Sequence, residues 1–123
     1  MNSGLVKVLL IDRDTEERRK VRIAVLKKHG YKVFPALDIQ QARSRCKPGA
    51  FDLIVVNSGG QPNMALELCE WIKSNDPKQA VLLMVGAIVQ LPRRDYMVPD
   101  IPELLLEKIE SMFERADVAA KAA

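Results

Sequence analysis

Three stretches of the 123-residue chain are apolar at nearly every position: "LVKVLLI" (5–11), "FDLIVVN" (51–57) and "AVLLMVG" (80–86). A strand with one wet face alternates apolar and polar residues. A run that is apolar on both sets of positions is buried on both faces, as in a parallel sheet covered by helices on either side. Two further runs rich in strand formers, "YKVFPA" (31–36) and "DYMV" (95–98), bring the expected strands to five, and longer stretches with helical spacing separate them. The pattern predicts an α/β fold with a doubly wound, five-stranded parallel sheet.

The first helix is expected to start with Asp14 as N-cap, Glu17 standing three residues on as in a capping box, and to end at Lys27, Lys28 and His29 before Gly30. His29 is the only histidine, and at a helix end it reads as a cation suited to the dipole and not as a catalytic group. "DIQQARSRC" and "MALELCEWIKS" fit a second and a third helix. The last helix begins near Pro102 and places Leu105, Ile109, Met112 and Phe113 at core spacing, as Trp71 is in the third. Residues 1–117 form one domain in this reading, and 118–123 a frayed tail or the start of a linker. The join between the fourth and fifth strands is too short for an ordinary crossover helix, and Pro92 disfavours one. Either the fourth helix is shortened or missing, or the fifth strand is not parallel.

Composition places the chain among ordinary globular proteins: 48% hydrophobic, 28% charged and a net charge of +3. The opening residues lack a leader pattern and the longest apolar runs are too short to span a bilayer, so no membrane association and a cytoplasmic location are expected. Cys46 and Cys69 show neither metal spacing nor a CxxC pair, and read as packing residues. Residues 1–50 hold 12 Lys and Arg against 5 Asp and Glu, and the first helix carries Arg18, Arg19, Lys20, Arg22, Lys27 and Lys28. Glu16 and Glu17 interrupt that field, so a solvated face is favoured over nucleic-acid binding.

In order and spacing, "KVLLIDRD", "HGYKVFPALDIQQA", "FDLIVVN", "ALEL" and "DYMVP" together resemble the receiver domain of bacterial response regulators, the CheY-like (βα)5 fold, over nearly the whole chain. That resemblance implies a carboxylate phosphoacceptor at the end of the third strand, an acidic pair holding Mg²⁺, a Ser or Thr after the fourth strand and a Lys before a proline after the fifth. Phosphoryl transfer is mostly in-line positioning plus charge neutralisation, which is why such a site needs them. Here Asp12 matches one acidic position, but Arg13 takes the other. Asn57 stands at the phosphoacceptor, Gly86 at the hydroxyl position, and Val98 (or Pro99) at the lysine. A neutral amide is a poor nucleophile, and a turn preference explains Asn57 alone, not four departures in one pocket.

The expectation is therefore a pseudo-receiver: no enzyme, no catalytic residue, no metal and no cofactor, with Asp12, Arg13, Asn57, Gly86 and Val98 forming a degenerate phosphorylation pocket. Arg13 either reaches Asp12 or Asn57 in place of the metal charge or points to solvent. The implied function is phosphorylation-independent signalling through a protein partner or an output domain. Ile88, Val89, Leu91 and Tyr96 form the expected interaction surface, on which two copies could pair through the fourth-helix and fifth-strand face. The alternatives are residual phosphotransfer through Asp12 or Asp52, a nucleic-acid contact through the basic helix, and a ligand or cofactor site at the strand ends. For the last, no dinucleotide or P-loop motif is present, and the glycines of "NSGGQPN" are weak support.

Overall fold

A computed structural model describes residues 6–86 and 91–122, with side chains up to residue 113. Its elements in chain order are β1 (Lys7–Ile11), α1 (Glu16–Lys28), β2 (Lys32–Ala36), α2 (Ile39–Arg45), β3 (Leu53–Asn57), α3 (Pro62–Asn75), β4 (Val81–Val85), β5 (Met97–Pro99) and α4 (Pro102–Ala122). The five strands form one sheet in the order β2-β1-β3-β4-β5, and every neighbouring pair is parallel. The five expected strands and the parallel sheet are thus found. Between β4 and β5 the described residues form no helix, and β5 pairs parallel to β4, so the alternative of a fifth strand that is not parallel is overturned.

β1, β3 and β4 are buried on both faces because each face of the sheet carries its own core. One cluster joins Leu9, Ile11, Ile54, Val56 and Leu83 to Ala42 of α2 and to Ala65, Leu68, Cys69 and Ile72 of α3. The other joins Val8, Leu10, Val55, Leu82 and Met84 to Leu26 of α1 and to Leu105 and Ile109 of α4. Each fully buried Leu or Ile contributes about 1.5–3 kcal/mol, which explains why the continuous apolar runs dictate the sheet. Trp71 is only partly buried, packed against the first cluster under the Arg43 guanidinium, 5.0 Å from its ring centroid.

Helix ends follow local chemistry, with one correction. The N-cap of α1 is Thr15, not Asp14: Thr15 Oγ1 accepts from Arg18 N at 3.3 Å, while Asp14 Oδ1 accepts from Thr15 N at 2.8 Å. The hydroxyl nearer the helix takes the cap, leaving the other Asp14 oxygen for a longer-range partner. α1 stops at His29, and Gly30 adopts φ +90°, the left-handed conformation that glycine supplies after a helix. His29 Nδ1 lies 3.0 Å from the Val25 carbonyl oxygen. Asp38 caps α2 by accepting from Gln41 N at 2.7 Å, and Pro62 opens α3 where a missing N–H costs nothing. α4 runs through Ala122, so the alanine-rich end is helical.

Burial pushes the Cys69 thiol up to about 12, with Glu70 adding to the rise, which makes it an inert packing group. Cys46 is likewise raised by burial, and neither cysteine is in a disulfide.

Candidate functional site

β1 and β3 lie side by side at the centre of the sheet, where the strand order reverses, and their C-terminal ends deliver Asp12 and Asn57 to one edge. Asp12 is fully buried. Along a strand successive side chains alternate, so Asp12 shares the face of Val8 and Leu10 and looks toward α1. There it meets Arg22, a cation that is itself only 7% exposed.

Arg22 is the hub of the site. Its Nη1 donates to Asp12 Oδ2 at 2.8 Å, and its Nη2 to Asp14 Oδ2 at 3.0 Å and Asp100 Oδ2 at 3.0 Å. Nε also faces Asp100 Oδ1 at 3.4 Å. Three carboxylates from the end of β1, the following loop and the turn after β5 thus close on one guanidinium. Its planar fork suits such convergence better than an ammonium would. Burial works against the charge of Arg22, but Asp12, Asp14 and Asp100 more than offset it and hold the guanidinium above its ordinary range.

Arg13, the cation singled out from the sequence, does something else. It is exposed and donates from Nη1 to Gln61 Oε1 at 2.7 Å, at the start of α3. Contact with Asp12 belongs to Arg22 because Arg13, the next residue along the chain, faces the other way while Arg22 rises from α1 beneath the carboxylate. Arg22 and its partners Asp14 and Asp100 were missed as site residues. The signal was present: Arg22 lies one turn before Leu26, so a charged residue occupies the face that α1 turns to the sheet.

Asn57 is 7% exposed; its Oδ1 accepts from Gly59 N at 2.7 Å, closing a turn in which Gly59 adopts φ +50°. Its Nδ2 has no hydrogen-bond partner among the described residues. Val98 is buried in the α1 and α4 core, and Gly86 follows β4 in irregular backbone. Asp52 begins its strand at the opposite end of the sheet and accepts from Lys7 N at 2.7 Å.

Of the expected interaction strip, Ile88 and Val89 lie outside the described residues. Leu91 is half-buried against the α2 and α3 core. Tyr96 is buried, not exposed: it packs into the same core with the Lys73 ammonium 5.3 Å from its ring centroid, because the short loop brings it directly over β4 and α3.

A Mg²⁺ ion does not fit this arrangement. Asp12 Oδ1 accepts from Asp14 N at 2.9 Å and Oδ2 from Arg22, so both oxygens of the surviving acidic residue are engaged. The guanidinium, at 2.8 Å from Asp12 Oδ2, competes with any metal ion for that oxygen, and the neutral Asn57 adds no charge to attract one.

The Arg22 cluster has a measurable acid limb. Burial alone would raise the Asp14 pKa, but the Thr15 N–H and then Arg22 outweigh it and hold the carboxyl below its ordinary 3.8. A carboxylate with a depressed folded-state pKa contributes its full stabilisation above the unfolded value and loses it as pH falls through the folded one. Asp14→Asn should therefore lower stability near neutrality and show a shallower loss below about pH 4 than the parent chain, read from urea midpoints across pH.

No protein-family profile and no curated protein matches the sequence. Solved structures do. A CheY-like response regulator receiver domain protein from Methanospirillum hungatei JF-1 is 23% identical, with a TM-score of 0.74, covering 94% of this chain and 99% of that one. The chemotaxis protein CheY4 of Vibrio cholerae is 19% identical at a TM-score of 0.69, covering 88% and 98%. A chain from the complex of histidine kinase ThkA with response regulator protein TrrA is 18% identical at a TM-score of 0.69, covering 87% and 97%. Together with the strand order and the two helical layers, these likenesses show that the chain has the flavodoxin-like α/β fold of CheY-like receiver domains.

Proposed function

We propose that the protein is a pseudo-receiver: a two-component signalling module that works through protein contacts without being phosphorylated. The observation that supports this reading most is the insertion of Arg22 among Asp12, Asp14 and Asp100. A phosphorylatable receiver alternates between two charge states of its acidic pocket, whereas a built-in guanidinium holds Asp12 in one fixed ion pair. Asn57 in place of a carboxylate removes the nucleophile as well.

The partner is a protein of the same signalling class or an output domain, by analogy with a fold neighbour seen in complex with a histidine kinase. The contact face is the flank of β5, where the described part of the β4 to β5 connection leaves the sheet without a helix and Ile101 is 45% exposed. Pairing of two copies through this face is one form of such contact, and the cytoplasm is its setting.

The test is incubation with Mg²⁺ and acetyl phosphate followed by intact mass. The expected spectrum shows no added phosphoryl group, and calorimetric titration with Mg²⁺ shows no heat of binding. A stable phosphoryl adduct would refute the proposal.

A further inference from the structure

Beside the Arg22 cluster, on the other face of the sheet, is a second feature that the signalling reading leaves unused. A cleft of about 210 Å³ opens between the ends of β1 and β3 and the helices α2 and α3. Its apolar wall is formed by Ile11, Ile39, Val56, Met64 and Leu68, its rim by Arg13 and Gln61, and Asn57 lines it as well. At about 30 Å³ per water, this is room for about seven waters. That volume suits a ligand smaller than the drug-sized molecules that occupy larger pockets.

We propose that this cleft binds a small carboxylate with a branched aliphatic body. Three observations converge on that class. The wall is apolar, and Ile11 and Val56 belong to the buried core, so it is a preformed surface and not a passing contact. The polar groups along its edge include a charged donor: the exposed Arg13 guanidinium, whose hydrogen-bond partner among the described residues is the neutral Gln61 Oε1. Among the described residues no acidic side chain lines the cleft. Arg13 supplies the charge-assisted contact, and the Ile, Val, Met and Leu side chains enclose the chain of the ligand. The proposal does not depend on the absence of phosphorylation, since its test reads ligand binding and not a phosphoryl adduct.

The probe is 4-methylpentanoate, titrated into the ¹⁵N-labelled protein while the side-chain amide signals of Asn57 and the backbone signals of residues 57 to 61 are followed. Saturable shifts confined to these groups are expected, with a dissociation constant on the order of a millimolar for so small a ligand. The neutral 4-methylpentanamide should bind about tenfold more weakly, and Arg13→Gln should abolish that difference, since a charge-assisted bond is lost in both cases. Met64→Trp, at a residue already 41% exposed, should block the cleft while leaving the rest of the spectrum in place. Should that variant not fold, the exposed Arg13→Gln decides the matter alone. Absence of saturable shifts at Asn57, equal binding of the amide, or equal shifts from inorganic phosphate would each overturn the proposal, the last because it would show that the apolar wall takes no part.

Discussion

Replacing Arg22 with alanine should lower the folding free energy by about 3–5 kcal/mol, the loss expected when one member of a buried ion cluster is removed and the other stays. The reason lies in the partner. Asp12 is fully buried; among the described residues one oxygen accepts from the Asp14 N–H and the other from Arg22. Without the guanidinium, a carboxylate stays out of water with half its hydrogen bonding gone. Asp14 and Asp100, at side-chain exposures of 17% and 27%, can recover water. The penalty is therefore concentrated on Asp12, which the double variant Arg22→Leu with Asp12→Asn should reveal by recovering much of the loss. Urea unfolding of the three proteins provides the numbers. An alanine variant within about 1 kcal/mol of the parent would mean that the cluster behaves as a solvated surface pair.

A second large effect is expected at Asn57, where the receiver resemblance places a phosphoacceptor. Asn57→Asp introduces a charge at a position that is 7% exposed. One new oxygen keeps the bond to Gly59 N, but the other replaces an amide nitrogen that already lacks a partner. Burial that raises such a carboxyl by about 1.5 pKa units costs about 2 kcal/mol near neutrality. Because this folded-state pKa would be raised, the penalty is complete above it and fades as pH drops toward about 4. Mg²⁺ should not restore the variant, since Arg22 already saturates Asp12. Full recovery of the urea midpoint with millimolar Mg²⁺ would instead reveal a latent metal site.

How much of this was legible in the sequence depended on how local the determining physics is. The uninterrupted apolar runs at Val8–Ile11, Leu53–Val56 and Val81–Val85 could only be satisfied between two helical layers, so the sheet was readable from them. That the join between β4 and β5 is too short for an ordinary crossover helix was readable from chain length and Pro92. The cap of α1 was misplaced by one residue because Asp14 and Thr15 are both competent caps, and the choice was made by Arg22, eight residues from Asp14, claiming the carboxylate. The site itself was half legible. The receiver resemblance pointed to Asp12 and Asn57 but not to the cation beside Asp12, since pairing of Arg22 with Asp100 spans 78 residues and no local pattern records it. Tyr96 was misjudged for the same reason: burial under Lys73 of α3 is a tertiary fact.

β5 is a three-residue edge strand that ends in proline, the kind of element that a sheet holds weakly through its ladder alone. Asp100 follows it at once and is gripped by a side chain rooted in α1, 78 residues earlier in the chain. The guanidinium thus works as a clasp between the first helix and the last strand. Any partner that levers the last strand outward must first unfasten it and leave charges bare.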